Sequence, residues 1–344
     1  MSHSAVSILL RLTKFAVPVG IVTWLLWRME PDQWEQLRSQ PKHYGLLVGA
    51  LAVAQTALLI SFTRWWMLVR CQGISLSIIE ALRLGAIGYL LAFVSVGSVG
   101  GDLFKAIFLA SRTPGKRVEA VASVFVDRGS GLLGLVLLVV LAMAILKPPS
   151  IANDPDVARI GQATALVTVV GFVVLGILVL GGKPIDRMIQ AASTWRHVGK
   201  PIGKIAGPLR TFHEHPWAFA MAIAMSVVIH VLLSVAMYMI ARGLYAQPPT
   251  LADHLLIVPI TNVAAAMPIA PAGLGVTEAM MNWLYKIVPP VPTMASGVLV
   301  ALVYEIVKVI MATVGVIFYW SAGRDVSRSL QETRDDEISG DVKT

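Results

Sequence analysis

The sequence predicts an all-α polytopic membrane protein, with about six spanning helices and two re-entrant half-helix hairpins in an inverted-topology repeat. Three observations carry this. Apolar residues make up 56% of the 344-residue chain and charged residues only 14%, where a soluble domain has about 25% charged. Apolar runs long enough to cross a bilayer recur along the whole length. Twice, two apolar pieces too short to cross are separated by a turn rich in Gly or Pro.

The elements follow in order. Arg11 and Lys14 precede an apolar run to Trp27, and Arg28-Met29-Glu30 follow it with no small-residue cleavage site. The expectation is a retained first span at about 8–27, bent at Pro18 and Gly20. Residues 28–43 read as a polar loop. The second span, about 44–69, ends in Arg64-Trp65-Trp66 and Arg70, an aromatic and cationic membrane boundary.

The first hairpin comes next. Ala81–Val96 and Leu103–Ala110 flank Gly97-Ser98-Val99-Gly100-Gly101. Helices of such lengths reach roughly 24 Å and 12 Å, against a hydrocarbon core of about 30 Å. Unwound backbone at membrane depth is tolerated only where protein buries it or a wet cavity lines it. Pro114-Gly115 turns the chain, and the third and fourth spans are about 118–146 and 157–181, joined through Pro148-Pro149.

Residues 183–215 are a basic linker, with Lys183, Arg187, Arg196, Lys200, Lys204 and Arg210 against Asp186 and Glu214. That charge places it in the cytoplasm. Ile185, Met188, Ile189, Ala192 and Trp195 fall at helical spacing. They suit either an amphipathic helix on the membrane surface or a solvated linker. The fifth span is about 217–241. Short pieces at about 253–267 and 276–288 then flank Pro268-Ile269-Ala270-Pro271-Ala272-Gly273-Leu274-Gly275. The last span is about 293–320, and the polar tail 321–344 reads as disordered and cytoplasmic. Residues 1–320 thus form one transmembrane domain, with repeats at about 44–146 and 217–320.

Counted from a cytoplasmic N-terminus, the two hairpins enter from opposite faces. The spacing from Tyr44 to Gly100 equals that from Trp217 to Gly273. Paired short, Gly/Pro-interrupted segments point to a transporter's midplane site. Charges at membrane depth are candidate function. They are Asp102 and Lys105 in the first hairpin, Asp127 and Arg128 in the third span, Glu278 in the second hairpin and Glu305 in the last span. Each has a plainer reading. Asp102 either caps helix 103–110 or helps hold a headgroup with Lys105. Lys105 either does so or snorkels to the surface. Asp127 pairs with Lys105, or Arg128 with Asp102, or these charges meet substrate. Lys308 stands one turn from Glu305. His230 reads as a packing residue, as do the glycines of spans three and four.

These residues resemble the flippase-like membrane proteins related to the transmembrane domain of lysyl-phosphatidylglycerol synthase, the multiple peptide resistance factor. The family's glycine-rich turn with an acid and a following base is similar to Gly100-Gly101-Asp102 with Lys105. Its acid–arginine pair is similar to Asp127-Arg128. Its Pro-Gly turn with a glutamate is similar to Pro271-Ala272-Gly273-Leu274-Gly275 with Glu278. The likeness covers roughly residues 8–320. Two departures stand out: Lys105 where many members have Arg, and Tyr304-Glu305 where Tyr-Arg is expected.

The resemblance implies movement of lipid or lipid-linked molecules between leaflets, with no aminoacylating domain. The expected partner is a membrane lipid with an anionic headgroup. The membrane is a bacterial cytoplasmic membrane, with both termini cytoplasmic. Lys105 and Arg128 would contact phosphate, with Gly100, Gly101, Gly273 and Gly275 shaping the cavity. Asp127, Glu278 or Glu305 would couple to protons. Two other readings stand beside it: a membrane scaffold or regulator, and an intramembrane enzyme using Asp102 and Asp127.

Other classes fit less well. The formal charge is +8, but the basic residues stand at segment ends and no nucleic-acid motif is present. The single cysteine, Cys71, excludes an intrachain disulfide and a multi-cysteine metal site. No G-x-x-x-x-G-K-[ST] loop occurs, so direct ATP coupling is not expected, nor any cofactor. Homo-oligomerisation is left open.

Overall fold

A computed structural model describes Thr23, Trp27, Met29 and residues 31–39, 41–94, 99–146, 214–266 and 273–313. Every regular element among the described residues is helical. Most of the first span, the fourth span, the linker up to 213, residues 95–98 and 267–272 in the hairpins, and residues 314–344 lie outside them.

Helix α1, Pro31–Ser39, occupies the segment expected to be a loop. Proline suits the first helical position, where its missing N–H costs nothing, and Glu, Gln, Leu and Arg favour helix. Helix α2, Tyr44–Cys71, runs 28 residues, about 42 Å at the α-helical rise. It stops where Gly73, at φ 68°, reverses the chain. Lys116 Nζ then donates to Gln72 O at 3.2 Å and Gly73 O at 2.9 Å, which levels the next helix start with this end.

Helices α3, Ile78–Val94, and α4, Val99–Arg112, follow. A turn at Pro114–Lys116 leads into α5, Arg117–Leu146. Helix α6 is Pro216–Leu244, α7 is Leu251–Ala265, α8 is Val276–Ile287 and α9 covers 297–313. Among the described residues, the regions of α2, α5 and α6 are the 3 that are long and apolar enough to cross a membrane. By contrast α3, α4, α7 and α8, at 17, 14, 15 and 12 residues, reach about 18–26 Å, short of the roughly 30 Å core.

Small residues let the long helices meet. Helix α2 packs along α6 more extensively than any other pair of elements. Ala50, Ala54, Ala236 and Ala241 are buried in the same core. A Cβ on Gly49 would strike Met239, one on Gly243 would strike Leu47, and one on Gly134 would fall 2.2 Å from Ser226 Cβ. Gly49, Gly134, Gly243 and the buried alanines of these spans are therefore packing residues, as membrane helices use them.

The two short pairs start alike. Ser77 Oγ accepts from the Glu80 N–H at 3.2 Å while the Glu80 carboxylate accepts from the Ser77 N–H at 3.1 Å. Thr250 and Asp253 make the same reciprocal box, at 3.2 and 2.7 Å. Such boxes satisfy amides that a helix start leaves open. One offset in numbering separates Ser77 from Thr250, Glu80 from Asp253, Cys71 from Leu244 and Ile78 from Leu251. It also separates Gly100 from Gly273 and Lys105 from Glu278.

The hairpin glycines divide by mechanism. Gly100 and Gly101 are not in a turn; they lie in the first turn of α4. Gly101 instead marks a crossing, since a Cβ there would fall 2.1 Å from Gly88 O on α3. Gly273 and Gly275 do need glycine's backbone freedom, at φ 76° and 83°.

Candidate functional site

Three helices deliver charge to one point. Asp127 lies about ten residues into α5, roughly 15 Å along its axis. Arg64 approaches from α2, about one and a half turns short of Arg70. Arg64 Nε donates to Asp127 Oδ1 at 2.8 Å, with each side chain 7% exposed. Its Nη1 donates to Ser226 Oγ on α6 at 2.6 Å.

Helix α4 completes the cluster. Lys105 Nζ is 3.0 Å from Asp102 Oδ1 and 4.0 Å from Asp127 Oδ2, and it sits over the Trp65 ring at 5.0 Å. Arg128 Nε donates to Asp102 Oδ2. The order across the site is thus Ser226, Arg64, Asp127, Lys105, Asp102, Arg128. It runs from buried to open, since the Arg128 side chain is 55% exposed. Among the described residues three cations face two carboxylates, so this part of the cluster carries one positive charge more than it cancels. A helix start also lies here: Asp102 is in the first turn of α4, where carboxylates are favoured.

Several expectations are corrected. Asp102 does not precede its helix as a cap; α4 begins three residues before it, and the carboxylate turns to Lys105 and Arg128. Lys105 does not snorkel; it is mostly buried between two carboxylates. Arg64, read from the sequence only as part of a membrane boundary, is the principal partner of Asp127. Its position inside an apolar run was the available signal, because a guanidinium that deep requires a carboxylate. The aromatic residues beside it masked that signal.

Glu278 and Glu305 lie apart from this cluster. Glu278, in the first turn of α8, accepts the Gly275 N–H on Oε2 at 2.6 Å. Glu305 is wholly buried on α9 and ion-paired to Lys308 at 2.7 Å. Helix α3 links the cluster to Glu305. Gly88 lies beside Lys105, and its neighbour Tyr89 faces Tyr304 and Glu305. Gly100, Gly101, Gly273 and Gly275 shape the starts of α4 and α8. His230 donates from Nε2 to Gly131 O at 3.2 Å, beside Arg64. Among the described residues no group of acidic, His and Cys side chains has the makings of a metal site.

Residues 9–315 match the family model described as the lysylphosphatidylglycerol synthase TM region. No curated protein and no solved structure matches the chain. The chain belongs to the lysylphosphatidylglycerol synthase transmembrane family, and its apolar helices make it an integral membrane protein.

Proposed function

We propose that this membrane domain is a flippase that moves a lipid or lipid-linked molecule with an anionic headgroup between leaflets. The observation that carries the reading is the surplus positive charge of the Arg64–Asp127–Lys105–Asp102–Arg128 cluster, held about two to three turns in from the ends of α2 and α5 and open at Arg128. A phosphate would find there a guanidinium, an ammonium and a helix start, while acyl chains stayed in the bilayer.

The architecture we infer is an inverted repeat. Helices α3 with α4, and α7 with α8, are re-entrant hairpins that enter from opposite faces, each preceded by a long span, α2 or α6. Support comes from the shared capping boxes, the common offset and helices too short to cross. In this reading the Lys116 end of the bundle is cytoplasmic, as are both termini, in a bacterial cytoplasmic membrane. Residues 183–215 join the repeats on that side.

The protein acts without changing its lipid chemically. Asp102 and Asp127 are poor candidates for a proton-sharing pair, because Lys105 lies between them and each is held by an arginine. The test is translocation of fluorescent lipids across headgroups in proteoliposomes. Faster movement of phosphatidylglycerol than of phosphatidylcholine is expected. No movement of any lipid, with the protein folded, would favour a scaffold.

A further inference from the structure

Among the described residues four acids are buried; Asp253 closes the capping box of α7, and the other three are not equivalent. Asp127 has Arg64 on one oxygen at 2.8 Å and Lys105 within 4.0 Å of the other. Two cations stand around this one carboxylate. Glu278 and Glu305 have no such surplus. Glu305 is 0% exposed and Glu278 is 6% exposed. Oε2 of Glu305 and Oε1 of Glu278 are buried without a hydrogen bond, which is costly for a charged oxygen.

Helices α8 and α9 approach closely, since a Cβ on Gly297 would lie 2.4 Å from Met281 O. Glu278 lies three residues before Met281 on α8 and Glu305 eight residues beyond Gly297 on α9, and the two carboxylates are within electrostatic reach of one another. The groups facing them are Lys308 and Tyr304 on α9, Tyr89 on α3 and the Gly275 N–H at the start of α8. Two carboxylates against one ammonium leave one negative charge too many. One proton removes it and supplies the donor that an orphan oxygen lacks. The counterpart of Glu278 in the first unit is Lys105, by the common offset, so the charge is reversed between the units.

We propose that Glu278 and Glu305 form a proton-binding site, loaded from water on one side and emptied to the other in each lipid-translocation cycle. This rests on the flippase reading above. The basic cluster takes the anionic headgroup, and the acid pair takes the proton that drives or accompanies it. Tyr89 and Gly88, adjacent on α3, touch both. A shift of α3 as the acid pair changes charge is therefore felt at Lys105.

Two measurements test this on the full chain. Infrared difference spectra at neutral pH should show the C=O stretch of a protonated carboxyl, lost in Glu278→Gln or in Glu305→Gln. In proteoliposomes, an imposed pH gradient should accelerate movement of fluorescent phosphatidylglycerol several-fold, and either variant should lose that acceleration. Glutamine mimics the protonated acid, so Glu278→Gln should melt no lower than the parent, while Glu305→Gln also strands Lys308 and should melt lower but stay folded. A parent that moves lipid at a rate indifferent to the gradient overturns the proposal and leaves the flippase standing. Absence of the carboxyl band, or its persistence in both variants, overturns the proposal whatever the lipid does. A parent that moves no lipid sinks the flippase reading and the coupling with it. The infrared band then still decides whether the pair holds a proton.

Discussion

Arg64 on α2 donates its Nε–H to Asp127 Oδ1 on α5 at 2.8 Å, and this pair ties the two helices where both are closed to solvent. Removing one partner of such a pair strands the other charge and typically costs about 3–5 kcal/mol. Arg64→Gln and Asp127→Asn should each lower the melting temperature in detergent or lipid. The double variant should recover most of the loss, because neither charge is then stranded. If the pair also sets the potential felt by the headgroup, the recovered protein will still fail to move lipid. A stable double variant with parental translocation would make the pair structural only.

Arg128 makes the opposite prediction. It pairs with Asp102, but its side chain is 55% exposed, and ion pairs so open to solvent contribute about 0–1 kcal/mol. Asp102 also keeps Lys105. Arg128→Gln should therefore melt close to the parent and yet slow transfer of anionic lipids more than zwitterionic ones. Equal slowing for both lipid classes would remove Arg128 from headgroup selection.

Glycine replacements separate close approach from open space. A Cβ at Gly101 would fall 2.1 Å from Gly88 O, while one at Gly129 would have nothing within 4 Å. Gly101→Ala should destabilise by roughly 1–3 kcal/mol, through forced separation of α3 from α4. Gly129→Ala should be neutral or stabilise by up to about 1 kcal/mol, since alanine is the better helix former. Thermal melts of the two variants decide, and equal effects would mean that the α3–α4 crossing is loose.

Topology can be read with one label. Cys71 is the single cysteine, so a cysteine-free parent is one substitution away. Gly115 lies at the Lys116 end of the bundle. Met294 is 94% exposed, in the loop where Thr293 bonds Gln247 beyond the far end of α6. A cysteine at Met294 should react with a membrane-impermeant maleimide added outside intact cells. One at Gly115 should react only after lysis. The reverse pattern would invert the proposed orientation.

The long and short helices were legible in the chain itself. Burial in a bilayer demands unbroken apolar runs, so α2, α5 and α6 announce themselves by hydropathy alone. The Gly- and Pro-rich interruptions before Asp102 and Glu278 likewise mark where helices must restart. Ser77-x-x-Glu80 and Thr250-x-x-Asp253 spell out two helix starts in local chemistry. Asp102, Lys105, Asp127 and Arg128 stand out because charge is scarce in such surroundings.

Pairing was decided only by the tertiary structure. Asp127 meets Lys105, and Arg128 meets Asp102, as the sequence allowed, but the packing of α2 against α5 and α6 also put Arg64 and Ser226 there. Arg64 looked like a boundary residue because sequence records neighbours along the chain, while its carboxylate is 63 positions away. Gly101 likewise looked like a turn glycine, and its reason lies in the backbone of Gly88 across the helix crossing. Hydropathy and capping act within a few residues and can be read in one dimension. Which side of a helix meets which neighbour depends on how whole surfaces pack, and that is settled only when the helices come together.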